Sequence, residues 1–237
     1  NTITTSADGA STVYAVDVDG DGDIDVISGS ELDDKVAWYE NDGASDPSFT
    51  TRSITTSADG VASVFAADVD GDGQMDILSA SYADDKFAWY ENTTSAPDAP
   101  GFTSTSISTS EDGAINVYCV DMDKDGDLDI VTTAYNDDKV AWYQNNGSQS
   151  FTANTIATSV DGAQGIFAID LDRDGDMDVL SAAYIDDEIA WYQNNGSQSF
   201  TKISITTGTN GATSVMAIDL DRDGDIDVIS GSLYDKK

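Results

Sequence analysis

The sequence predicts an all-β fold: a β-propeller of about five four-stranded repeats, each of roughly 50 residues, with the last repeat incomplete. Three observations carry that expectation. The acidic string DVDGDGDID at residues 17–25 returns in near-copy from Asp68, Asp121, Asp170 and Asp219, at spacings of 51, 53, 49 and 49 residues. Short runs of Val, Ile, Phe, Tyr, Trp and Thr are punctuated by Gly, Asn and Asp, a strand-and-turn composition. No segment joins a sustained 3.6-residue apolar period to helix caps, so almost no helix is expected.

Each repeat opens on a TSADG-like turn, at 6–9, 57–60, 110–113 and 159–162 and more weakly at 209–211. The first strand follows, at 13–16 and its copies such as 166–169. It is nearly all apolar rather than alternating, the pattern of a strand covered on both faces, and stacking four-stranded sheets around an axis covers both faces. Two residues before each acidic run stands Ala15, Ala66, Cys119, Ala168 or Ala217, which fits a strand crowded near an axis and makes the single cysteine a buried space-filler. The acidic run turns the chain into the second strand, 24–28. A DDKVAWY-like string at 33–39, 84–90, 137–143 and 186–192 carries the next turn and the third strand, 36–39 in the first repeat. The fourth strand, 151–158 and its copies, follows Asn-Gly turns at 146–147 and 195–196; the second repeat has a longer, Pro-containing insertion there, 93–101.

Residues 1–10 match 154–163, and Lys237 falls in the repeat frame where Lys139 falls, so the fifth unit lacks its Trp-Tyr strand. Residues 1–237 read as one propeller, either an incomplete five-bladed ring or a piece of a larger one. No signal peptide or initiating Met is visible, so the chain reads as a mature or excised segment.

Ten basic residues against 45 acidic ones give a net charge of −35. So large an uncompensated charge destabilises a compact state and opposes nucleic-acid binding, which needs cations against phosphates. No apolar run is long enough to span a bilayer, so direct membrane insertion is not expected.

The acidic runs answer the charge problem. With Asp17 as position 1, Asp occupies positions 1, 3, 5, 7 and 9 and Gly occupies position 6, where a sharp turn is needed. Oxygens at 1, 3 and 5 of a tight loop converge, and position 7 of such a loop offers its backbone carbonyl. Ca²⁺, a hard cation taking six to eight oxygen ligands, fits this supply. The expected sites, about one ion per repeat and five in all, are Asp17, Asp19, Asp21, Asp23 and Asp25; Asp68, Asp70, Asp72, Gln74 and Asp76; Asp121, Asp123, Asp125, Asp127 and Asp129; Asp170, Asp172, Asp174, Asp176 and Asp178; and Asp219, Asp221, Asp223, Asp225 and Asp227. Gln74 shows that position 7 needs no carboxylate, as expected if its carbonyl is the ligand. Side chains at 1, 3, 5 and 9 complete the set. An EF-hand is rejected because position 12 is Ser28, Ser79, Thr132, Ser181 or Ser230 rather than Glu, and the flanks are strand-like. The loops hold 24 of the 45 acids, and five dications would bring the charge from −35 to −25.

The pattern Asp-x-Asp-x-Asp-Gly-Asp-x-Asp between AxD and DVLSA-like strands resembles the FG-GAP/VCBS repeat family, whose calcium loops also occur in the integrin α-subunit propeller. The resemblance spans all five units. It implies a β-propeller, often seven-bladed, with calcium loops on one rim, mostly extracellular, in adhesion proteins, lectin-like modules and appendages of enzymes. The units here are shorter than the integrin type, and no FG…GAP string is evident.

Among the remaining candidates, the pairs Trp38-Tyr39, Trp89-Tyr90, Trp142-Tyr143 and Trp191-Tyr192 read as inter-blade packing, with sugar stacking by an exposed ring as the alternative. The Asp-Asp pairs at 33–34, 84–85, 137–138 and 186–187 read as solvated turns, with polar contacts to a glycan or second metal as the alternative. Sequons stand at Asn92, Asn146 and Asn195. The chain has no His, and its acids recur in every unit, whereas a catalytic site is a unique place, so no enzyme activity is expected. The expected function is a non-catalytic, extracellular, calcium-binding module for recognition of a glycan or an extracellular protein. A structural block that assembles with other subunits, or an accessory domain of a secreted carbohydrate-active enzyme, are the alternatives.

Overall fold

The computed structural model describes residues 2–94 and 100–235. Asn1 and Lys237 at the ends of the repeat frame, and 95–99 of the insertion, lie outside the described residues. Among the described residues there are eighteen strands and no helix. The first repeat forms β1 (Ala10–Val16), β2 (Asp25–Ser30), β3 (Lys35–Asn41) and β4 (Phe49–Thr55), and the second forms β5 (Val61–Ala67), β6 (Asp76–Ser81), β7 (Lys86–Asn92) and β8 (Phe102–Ser108). The third comprises β9 (Ala114–Val120), β10 (Asp129–Ala134), β11 (Lys139–Asn145) and β12 (Phe151–Ala157), and the fourth β13 (Ala163–Ile169), β14 (Asp178–Ala183), β15 (Glu188–Asn194) and β16 (Phe200–Thr206). The fifth holds β17 (Ala212–Ile218) and β18 (Asp227–Ser232). Each of the first four is a four-stranded sheet whose strands lie side by side in chain order, and the fifth is a two-stranded sheet. The pairing is antiparallel, with Ile27 opposite Trp38 and Val26 opposite Tyr39 in the first sheet, and the same register in the second and fourth.

The chain falls into two compact units, Asn1–Val117 and Tyr118–Lys237. In the first unit Ile27, Val36 and Trp38 of the first sheet pack against Val61, Val64 and Ala66 of β5, with Ile77, Ala88 and Tyr90 behind them. The approach is close: a Cβ on Gly29 would overlap Val61 Cγ1. In the second unit Val131, Val140 and Trp142 meet Ala163, Ile166 and Ala168, and Leu180, Ala182 and Ile189 meet Ala212, Val215 and Ala217.

The strand buried most completely is the second of a repeat rather than the first that the apolar run marked: β6, β10 and β14 are buried at every residue, whereas β5 buries Val61, Val64 and Ala66 and leaves the residues between them half-buried, although β13 packs on both faces, with Ile166 and Ala168 in one cluster and Phe167 and Ile169 against the next. The reason is position. The second strand has neighbours on both sides in its own sheet, and the first is a sheet edge. Ala66, Cys119, Ala168 and Ala217 are buried as expected, but Ala15 is exposed, so the crowding does not extend to the first repeat.

Candidate metal centres

Each acidic run connects the first strand of a repeat to the second, and its position 9 is the first residue of that second strand. Local hydrogen bonds set the loop. The position 1 carboxylate accepts the amide of the position 6 glycine in all five loops, at 2.9–3.1 Å. Position 3 accepts the amide of position 5, and position 5 accepts the amide of position 7. Position 9 reaches back to the amide of position 2: Val18, Val69, Met122, Leu171 or Leu220. A chain of Asx turns therefore winds the backbone around its own carboxylates.

That winding brings positions 1, 3 and 9 together. Asp17, Asp19 and Asp25 each place an oxygen within 4.8 Å of the others, as do Asp68, Asp70 and Asp76; Asp121, Asp123 and Asp129; Asp170, Asp172 and Asp178; and Asp219, Asp221 and Asp227. These five triads could hold a metal ion. Asp21, Asp72, Asp125, Asp174 and Asp223 at position 5 stand outside the triads, each engaged with the amide of position 7. The side chains of Asp23, Gln74, Asp127, Asp176 and Asp225 at position 7 also lie outside them. Three of these pack against the turn that follows the third strand. Asp23, Asp127 and Asp176 lie against Gly43, Gly147 and Gly196, where any Cβ would strike the carboxylate.

The energetics favour a cation. Charged oxygens 4.8 Å apart repel by about 3 kcal/mol per pair at the effective dielectric of a half-buried site. Asp25, Asp76, Asp129 and Asp178 are buried. Burial, reinforced by neighbouring carboxylates, pushes Asp129 up to about 7 and Asp76 and Asp19 up to about 6; burial also raises Asp25 and Asp178. Backbone amides oppose each shift without cancelling it. In four loops one oxygen of position 1, the Oδ1 of Asp68, Asp121, Asp170 or Asp219, is buried with no hydrogen-bond donor. A buried carboxylate oxygen without a partner costs free energy that a coordinated cation removes. The all-oxygen donor set suits a hard ion.

One recurrent residue escaped the sequence reading. Asn41, Asn92, Asn145 and Asn194 end the third strands, and the backbone amide of each donates to Oδ1 of position 9 at 2.7–2.8 Å. The side chains of Asn41, Asn145 and Asn194 also donate to the carbonyl of position 8. The available signal was the recurrence of Asn two residues after each Trp-Tyr pair. Just before them, Gln144 and Gln193 donate to the position 3 carboxylates Asp123 and Asp172, both at 2.5 Å.

The other candidates resolve into structure. Trp38-Tyr39, Trp89-Tyr90 and Trp142-Tyr143 are buried pairs, and Tyr192 is buried beside a half-buried Trp191, so packing is their role. The Asp-Asp pairs are not simply solvated turns. Asp34, Asp85, Asp138 and Asp187 adopt φ of 53–57° and accept the amides of Gly60, Gly113, Gly162 and Gly211 at the opening turn of the following repeat. Each is a staple between consecutive repeats. Asn146 and Asn195 are exposed, whereas Asn92 is buried and cannot serve as a glycan acceptor.

Blade-like four-stranded sheets, each carrying an aspartate triad in its first hairpin, define a β-propeller repeat protein with one candidate metal centre per repeat. The FG-GAP-like repeat profile matches residues 17–79, 68–132, 121–181 and 170–230, so the chain belongs to the FG-GAP-like repeat family. No curated protein matches the sequence. Among solved structures it is similar to a lectin from Agrocybe aegerita described as recognising non-reducing terminal N-acetylglucosamine, at 20% identity and a TM-score of 0.62, covering 92% of this chain and 60% of the lectin. It is also similar to a luciferin-regenerating enzyme, at 13% identity and a TM-score of 0.54, covering 87% of this chain and 65% of the enzyme. At these identities the likeness is one of fold, and the chain spans less than two thirds of either structure.

Proposed function

We propose that this chain is a calcium-stabilised, non-catalytic recognition module of an extracellular protein. The observation that carries the reading is the set of five aspartate triads, four of which include a buried carboxylate oxygen with no donor. Calcium is the ion that extracellular fluid supplies at millimolar concentration, and it suits all-oxygen loops of even modest affinity. Members of the FG-GAP-like family commonly bind it. The metal's part is structural: it neutralises carboxylates that would otherwise splay the hairpins, and so holds the rim on which a ligand is met.

The ligand class favoured is a glycan, with an extracellular protein as the alternative. A lectin shares the fold over most of this chain. The second unit also presents a tyrosine row suited to sugar stacking: Tyr135, Tyr184 and Tyr234 follow one another at ring-centroid distances of 6.2 Å, and the Tyr184 and Tyr234 hydroxyls are 2.8 Å apart. Calorimetric titration of the chelator-stripped chain with Ca²⁺ tests the metal, and the expected count is near five. A glycan array in calcium tests the ligand. Retention of some glycan that is lost with Tyr184→Ala supports the reading, and silence across the array removes the glycan and leaves the protein ligand.

A further inference from the structure

Position 4 of the acidic loop divides the five repeats. It is Lys124, Arg173 and Arg222 in the last three loops, and Gly20 and Gly71 in the first two. In the second unit these long cations lie across the space to the next loop. Lys124 Nζ is 3.1 Å from Oδ1 of Asp176, the position 7 residue of the following loop, and 3.7 Å from where a Cβ of Gly175 would stand. Arg173 Nη1 likewise reaches Asp225 Oδ1 at 3.7 Å. Neighbouring loops of the second unit are thus bridged from within by a cation on an aliphatic stem.

In the first unit no position 4 side chain crosses the same space. Gly20 contributes none, and a cleft of about 630 Å³ opens between the first and second loops. Asp17, Asp19 and Gly20 line one side, and Asp72, Gly73 and Gln74 the other. Gly73 and Gln74 hold the positions that Gly175 and Asp176 hold under Lys124. Ile24 and Met75 also line the cleft and offer the apolar surface that a methylene stem needs. The charge suits a cation even with both loops metal-filled: five carboxylates in one loop and four in the other, less two dications, leave −5. The Gln74 amide donates to Asp72 Oδ2 at 2.6 Å, and its Oε1 is buried without a donor.

We infer that the cleft between the first two loops is a docking site for a lysine or arginine side chain of a partner protein, which occupies the place that Lys124 and Arg173 fill in the second unit. The chain's strongly negative field steers such a partner toward it. The inference rests on the calcium reading only in that filled loops fix the shape of the cleft walls.

The test is an amide-resolved NMR titration of the calcium-saturated chain with Nα-acetyl-lysine methylamide at physiological salt. The expected result is saturable shifts confined to Gly20, Gly73 and the Gln74 side-chain amide, absent with the uncharged Nα-acetyl-norleucine methylamide. Gly20→Lys should fill the cleft from within and abolish those shifts. Its backbone has precedent, since Lys124, Arg173 and Arg222 adopt φ of 61–63° at this position against 78° for Gly20, and nothing lies within 4 Å of a Cβ there. Gln74→Asp, which restores the carboxylate found under Lys124, should tighten the probe about three- to fivefold. Calcium stoichiometry is measured on both variants; a parent chain that binds calcium but not the probe overturns this inference alone, and loss of calcium binding by the parent overturns the metal reading. Shifts spread evenly over all five loops, wild-type binding by Gly20→Lys, or saturation of the same amides by N-acetylglucosamine in place of the lysine probe would each overturn it.

Discussion

Removing calcium is the perturbation that bears most directly on the proposed reading. The chain has five triads, two in the first unit and three in the second. For loops of the modest affinity usual in extracellular modules, with Kd about 10⁻⁴ M, calcium at about 1 mM stabilises the folded state by RT ln(1 + 10), about 1.4 kcal/mol per loop. Five loops then contribute about 7 kcal/mol, comparable to the whole stability of an ordinary domain. At about 2–4 °C per kcal/mol for a chain of this size, excess chelator should lower Tm by about 14–28 °C. If the two units melt separately, the loss divides into about 3 and about 4 kcal/mol in keeping with their two and three loops. Differential scanning calorimetry with and without chelator reads the shift, and restoring Ca²⁺ should reverse it. A melting curve that moves by less than about 2 °C would refute the reasoning, because repelling carboxylates would then be held by something other than a dication.

Acidity should act on the stripped protein in the direction opposite to acid denaturation. Asp129, Asp76 and Asp19 take up protons at about 7 and about 6 when folded, whereas an unfolded aspartate does so only near about 3.9. The folded state therefore binds more protons between those values, and in chelator its stability should rise as pH falls from about 7 to about 5. Calcium affinity should fall over the same range, since protons compete for the ligands; urea melts and calcium titrations at both pH values check the two signs. Asp187→Ala should cost about 1–2 kcal/mol by removing the 2.7 Å bond to the Gly211 amide, while Asp187→Asn, which keeps an acceptor and tolerates positive φ, should cost only a few tenths. Thermal melts separate them, and equal losses would deny the staple. Gly165→Ala should cost about 1–3 kcal/mol although its φ is ordinary, because the new Cβ would stand 2.8 Å from the backbone Cα of Ser214; a neutral melt would mean that the two sheets part easily.

What the sequence determined is whatever depends on local spacing. A period near 50 residues, β-branched and aromatic runs, and Gly, Asn and Asp between them specify strands and turns through backbone preferences that act over a few residues. Alternating aspartates with Gly at position 6 specify a tightly wound acidic loop for the same reason, since the Asx turns that wind it join residues two to five apart. Tertiary structure decided matters that depend on chain segments meeting. Which aspartates converge was settled by position 9, which is carried onto the second strand and pinned from sixteen residues away by the amides of Asn41, Asn92, Asn145 and Asn194. Position 5, alike in composition, stays bound to its own turn. Asp34 and its copies look like any turn acid until the next repeat brings a glycine amide to them. Gly20 and Lys124 differ by one side chain in the sequence, and only the spacing of neighbouring loops makes that difference a filled contact in one unit and a cleft in the other. Backbone preference is short-ranged and repeats with the sequence. Burial, charge repulsion and steric exclusion act through space, and they give different roles to residues that the repeat writes identically.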